Sequence, residues 1–204
     1  MLKLERKERL ERIQVARLIN ERQLLRDGEI AKAHHRLEAE FYEQEHRRTG
    51  NKWNIVNAIS DWRKAGELEQ ALNLTQNLNW QRISDHKLKA ALLTNRGFVL
   101  RDQGDYSDSE ECAMQSIQLD PQRPEPYLLM ATLCFRQANF ASGDIWRQKA
   151  IERGANPGDL DYEMKRLVKN AKNAEERKQL VDYLLKTDPQ RYGWVKEYQK
   201  QSAE

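Results

Sequence analysis

Apolar positions recur every three to four residues along most of the chain, interrupted by short breaks rich in glycine, asparagine or proline. That spacing is the period of an α-helix with one buried stripe. Strand-like alternation bounded by turn residues is absent, and the five prolines fall at or near the ends of the helical stretches. The pattern predicts helices over 4–26, 29–48, 53–64, 68–78, 87–103 and 107–119, then over 126–137, 140–153, 159–172, 175–186 and 192–201. In the first, Val15, Leu18, Ile19 and Leu25 form the expected buried stripe. The stretch 79–85 is the loosest. Thr49-Gly50-Asn51, Asp120-Pro121, Gly154-Ala155-Asn156-Pro157 and Asp188-Pro189 read as stops, since glycine and asparagine accept a left-handed cap and proline cannot continue a helix.

The breaks are periodic. Arg101-Asp102-Gln103-Gly104-Asp105-Tyr106 is preceded by Arg63-Lys64-Ala65-Gly66-Glu67-Leu68 and by Leu25-Arg26-Asp27-Gly28-Glu29-Ile30, and a degenerate copy follows at Arg136-Gln137-Ala138-Asn139-Phe140. The intervals from Gly28 to Gly66, Gly104 and Ala138 are 38, 38 and 34 residues. Small residues keep the same register. Gly97 and Ala131 stand seven residues before the turn; Ala33, Ala71, Ser109 and Gly143 stand five after it, and Ser116 and Ala150 twelve after it. Small side chains there let two helices approach closely, while Leu68, Tyr106, Phe140 and Ile30 after the turn are placed to fill gaps between hairpins. A period in the range of roughly 20–50 residues marks a solenoid, in which each unit buries its apolar face against its neighbours.

This pattern resembles the tetratricopeptide repeat, a helix–turn–helix unit with small residues at fixed positions and a closing proline. Residues 90–157 carry the resemblance, with 52–79 a further copy and 14–48 and 158–191 more divergent. Ala113 stands where the family's second helix usually has an aromatic. The resemblance implies one all-α domain over 1–204, a right-handed α-solenoid of hairpins at about 4–48, 52–79, 87–121, 124–157 and 158–189, closed by a C-terminal capping helix at 190–201 that carries Tyr192, Trp194, Val195 and Tyr198. It also implies a concave groove, lined by the first helices, that receives a partner segment. On this chain the groove positions are Asn57, Ser60, Arg63, Asn95, Phe98, Arg101, Thr132, Phe135 and Arg136. Asn57/Asn95 and Arg63/Arg101 recur in register and would form ladders, amides for a peptide backbone and guanidinium groups for carboxylate or phosphate. The clamp that some repeats of this type use for a C-terminal carboxylate is not expected, because Thr94 and Phe98 stand where it needs lysine and asparagine.

Composition changes this picture little. The 39% apolar and 33% charged content suits an elongated repeat with much surface. The net charge of +3 is too small to imply nucleic-acid binding by itself. The secondary reading is a nucleic-acid-associated repeat that places Arg9, Arg12, Arg22, Arg47, Arg48, Arg63 and Arg101 on phosphates. The basic first helix could instead mediate self-association. No apolar run has the length of a signal peptide or a membrane span, and Cys112 and Cys134 show no metal or redox spacing. A bacterial cytoplasmic setting is the expectation, with no membrane partner. His34, His35 and His46 with Glu38, Glu40, Glu43 and Glu45 form the one cluster resembling a metal site, but adjacent histidines on a helix diverge by roughly 100° and the third is three turns away. No metal, cofactor or catalytic residue is predicted. The expected function is non-enzymatic: a protein–protein interaction scaffold.

Overall fold

The computed structural model describes residues 9–11, 14–15 and 28–200, with side chains through residue 198. The described residues are all-helical, without a strand: α1 Glu29–Thr49, α2 Trp53–Ala65, α3 Leu68–Gln76, α4 His86–Gln103, α5 Tyr106–Leu119, α6 Glu125–Arg136, α7 Phe140–Glu152, α8 Pro157–Lys169, α9 Ala174–Thr187 and α10 Lys196–Lys200. The loose stretch contains a 3-10 turn, Trp80–Arg82, and a second one, Gly193–Val195, leads into α10. The helix expected over 4–26 lies outside the described residues except at 9–11 and 14–15, where Gln14 and Val15 are helical. Leu18, Ile19 and Leu25 of its stripe, and Gln201 at the end of the capping helix, lie outside them too.

Helices neighbouring in sequence pack as pairs, α1 with α2, α4 with α5, α6 with α7. The turns that join α2 to α3, α4 to α5 and α6 to α7 are built from one bond pattern used three times. The N–H groups of Glu67, Asp105 and Asn139 reach back to the carbonyls of Trp62, Leu100 and Cys134 at 3.0, 2.9 and 2.9 Å. This is the six-to-one bond that closes a helix through a left-handed residue. Gly66 and Gly104 supply that residue at φ 88° and 100°, where a glycine has no Cβ to clash. In the third copy Ala138 holds the same conformation at φ 56°.

The chain divides into two compact units, Met1–Asp120 and Pro121–Glu204, where the sequence is read as one continuous repeat. The core of the first joins α1 to α4 through Ala39, Ile55, Ile59, Trp62, Leu92 and Val99. Trp62 also donates its indole N–H to Glu43 at 2.6 Å. In the second, Phe135, Leu167, Leu180 and Leu184 gather with Tyr192 and Val195, which are 1% and 0% exposed. Full burial of one such aliphatic side chain contributes about 1.5–3 kcal/mol.

The small residues sit at the closest approaches. Ala71, Ser109, Ser116, Ala131 and Ala150 have no exposed surface, and Gly97 and Gly143 are buried. Ala33 is the exception: it is half-buried, and Ala31 and Ala39 take the buried positions on α1.

Candidate functional site

The nine groove positions fall into two sets, and the structure separates them by burial. On α2, Asn57 is exposed and Ser60 half-buried. Helical spacing puts Trp53, Asn57, Ser60 and Lys64 on one strip of that helix, and Trp53 is 39% exposed, among the few large apolar side chains in the described residues that face solvent. Asn95 on α4 is half-buried and donates its amide to the Val56 carbonyl at 3.2 Å, which ties α4 to α2 and leaves Oδ1 as an acceptor.

The remaining positions are interior. Arg63 and Arg101 are 6% and 2% exposed and converge on one carboxylate. Arg63 Nε donates to Asp102 Oδ2 at 2.7 Å, while Arg101 donates Nε and Nη2 to Asp102 Oδ1 at 3.0 and 2.6 Å. Phe98 lies under both guanidinium groups, 4.6 and 5.1 Å from ring centre to Cζ. The arginine ladder expected along a groove is therefore an internal staple. Arg63 ends one first helix and Asp102 ends the next, so the pair links neighbouring hairpins.

The second unit repeats the device with other residues. Arg136 donates Nη1 to Glu176 at 2.9 Å and to the Asn170 carbonyl at 2.8 Å. Its side chain is only 5% exposed. Phe135 packs at 1% exposure against Phe140 and Tyr183, and Thr132 is fully buried with its hydroxyl on the Leu129 carbonyl. Arg63, Phe98, Arg101, Thr132, Phe135 and Arg136 are thus corrected from groove lining to framework. The physical reason is that a first helix in a paired stack turns two sides toward neighbours, and register alone does not say which side stays open.

The arginines of the nucleic-acid reading are also engaged by carboxylates. Arg9 makes a two-pronged contact with Glu38 at 2.7 and 2.6 Å and lies 3.5 Å above the Phe41 ring. The Glu38 bond holds its pKa above the usual arginine value. Arg48 pairs with Glu45 at 2.7 Å and Arg47 with Glu43 at 3.6 Å. Arg12 and Arg22 lie outside the described residues. The histidines are dispersed: His35 Nδ1 meets Asp61 at 2.8 Å, His46 Nδ1 meets the Asn51 carbonyl at 3.0 Å, and His34 is buried, which lowers its pKa. Among the described residues no group of three His, Cys, Asp or Glu side chains is gathered as a metal would need. Nor is any helix of theirs long and apolar enough to cross a membrane.

Sequence reasoning missed Asp102 as the hub of the first unit and Glu176 as its counterpart in the second. The signal for Asp102 was its place beside Arg101, a contact that only becomes a hub once Arg63 arrives from the preceding hairpin. No protein-family model matches the chain, and no curated protein matches it.

Proposed function

We propose that the protein is a non-enzymatic interaction scaffold of tetratricopeptide-like hairpins, a right-handed solenoid that receives an extended protein segment along the open side of its first helices. The observation that carries this reading is the accessible strip Trp53, Asn57, Ser60 and Lys64 on α2, an apolar anchor followed by polar side chains on a helix whose other sides are packed. An exposed tryptophan brings large rigid contact area, the feature that dominates binding energy in many interfaces. The Asn57 amide can pair with a partner's backbone on both its donor and acceptor sides. The stapled arginines hold the strip in place and do not themselves meet the partner.

The test is site-specific crosslinking. A photoreactive residue is placed at Asn57 or Ser60, with Glu110 on the exposed surface of α5 as the control position. Expected are protein adducts at the two α2 positions that persist after nuclease treatment and disappear on Trp53→Ala. Adducts to nucleic acid, or equal labelling at Glu110, would replace the scaffold reading with the nucleic-acid one or with non-specific contact.

A further inference from the structure

A recess of about 500 Å³ opens between α3, the Trp80–Arg82 turn, α4 and α5, within the first unit. Its size falls inside the range of roughly 300–1,000 Å³ found for small-molecule sites. The floor is apolar: Leu93 and Leu100 are 6% and 3% exposed, and Trp80 packs beside them. Two walls carry opposite charge. Lys89 and Arg96, two helical turns apart on α4, form the basic wall, and Asp108 and Glu111 on α5 form the acidic one. No ion pair joins these walls among the described residues, although pairs of this kind are common elsewhere in the chain.

Arg96 is the least ordinary member. Its Nη1 donates to the Thr75 hydroxyl at 2.8 Å, and that hydroxyl in turn donates to the Leu72 carbonyl at 2.7 Å. The Cys112 thiol lies beside it in the recess, and burial pushes that thiol's pKa up. A half-buried guanidinium is thus oriented by two neutral groups and meets no carboxylate. A fixed guanidinium fork held in this way is shaped for a carboxylate. Lys89, on the same wall, adds a second cation. A dianion such as phosphate would meet repulsion from Asp108 and Glu111, whereas a ligand with an ammonium group would meet attraction there.

We infer that this recess binds a zwitterionic ligand of dipeptide size, its carboxylate on Arg96, its ammonium toward Asp108 and Glu111, and an apolar side chain against Trp80 and the leucine floor. The site lies on α3, α4 and α5, away from the α2 strip, and does not depend on the scaffold reading.

Isothermal titration of the full chain with leucyl-leucine tests it, with the N-acetylated and C-amidated forms and inorganic phosphate as comparison probes. The expected result is a Kd at or below about 1 mM for the free dipeptide. Blocking either terminus is expected to weaken binding about tenfold or more, the scale of one charge-assisted contact. Arg96→Gln should abolish binding. Because Arg96 also supports Thr75, the exposed variant Asp108→Asn provides a second reading that leaves the packing alone. It should weaken the free dipeptide and leave the N-acetyl form unchanged. The inference is overturned by an absence of heat with the dipeptide, by an amide that binds as well as the acid, or by phosphate binding as tightly as the dipeptide.

Discussion

Hairpin α4–α5 in the first unit and hairpin α6–α7 in the second share a turn and a register of small residues, and they close their seams with different chemistry. In α4–α5 the seam is polar. Ser109 donates to the Gly97 carbonyl at 2.8 Å, and Ser116 donates to the Ala90 carbonyl at 2.9 Å while lying 2.8 Å from the Thr94 hydroxyl. In α6–α7 the same positions are Gly143 and Ala150, and the space above Gly143 is filled by the Phe135 ring. Three residues before the left-handed turn the contrast is sharper. Arg63 and Arg101 stand there in the first unit and share Asp102, whereas Phe135 stands there in the second and packs with Phe140 and Tyr183, whose rings stack 4.4 Å apart. One backbone geometry thus accepts either a buried ionic hub or an aromatic cluster. The close approach of the paired helices dictates the size of the side chains at the seam, and the neighbouring hairpin decides their chemistry.

The largest expected effect comes from removing the hub. Asp102→Ala leaves two nearly buried guanidinium groups without the carboxylate they share, and breaking a buried pair in this way costs about 3–5 kcal/mol. Hydrogen exchange should show the loss as faster exchange of amides in α2 and α4, with the second unit's amides as the internal standard. An unchanged exchange pattern would mean that the hub contributes nothing and the comparison is wrong on the ionic side.

The aromatic side is broken at Gly143. A Cβ added there would lie 2.2 and 2.4 Å from two Phe135 ring atoms. Gly143→Ala is expected to cost about 1–3 kcal/mol through overpacking, against the helix propensity that alanine gains. Pairing it with Phe135→Leu should recover part of that loss, since two residues in contact do not act additively. A smaller effect is expected at the equivalent position of the polar seam. Ser109→Ala removes one buried hydroxyl bond and leaves the Gly97 carbonyl with its helical partner, a loss of about 1 kcal/mol. Urea titration of the three variants should rank Gly143→Ala above Ser109→Ala; the reverse order would show that the seams are not sterically equivalent.

Much of this architecture was legible in the sequence because helix ends are written locally. The expected and observed ends of the helices from α1 to α7 agree within two residues, since glycine, asparagine and proline mark them directly. The register of Ser109, Ser116, Gly143 and Ala150 was legible as well, because a close approach leaves room only for small side chains. Orientation was not. Arg63 and Arg101 repeat in step, yet the position after each holds Lys64 in one copy and Asp102 in the next, so the acid that joins them has no periodic signature. The recess was invisible for the same reason: Thr75, Arg96 and Cys112 come from three helices at positions that do not repeat. The α2 strip was visible only in part, as Asn57 and Ser60, because the exposure of Trp53 at the start of its helix has no periodic mark.

The turns offer the finest comparison, because there the two units differ by one methyl group. Gly104 and Ala138 hold the same left-handed conformation and the same reach-back bond, from Asp105 in one case and from Asn139 in the other. An L-residue with a Cβ is disfavoured in that conformation by about 1–2 kcal/mol, whereas glycine is not. Ala138→Gly should therefore relieve strain in the folded state, offset in part by the greater freedom glycine gives the unfolded chain. The net expectation is a gain of about 0.5–1 kcal/mol. Gly104→Ala should do the opposite and lose about 1 kcal/mol, since nothing lies within 4 Å of the added Cβ and only the backbone conformation opposes it. Opposite signs in paired denaturation curves would establish that the degenerate copy tolerates a strained turn that the other copies avoid. Equal signs would mean that the chain around Ala138 has adapted to the alanine, and that the degenerate copy is a distinct turn that shares only its bond pattern with the rest.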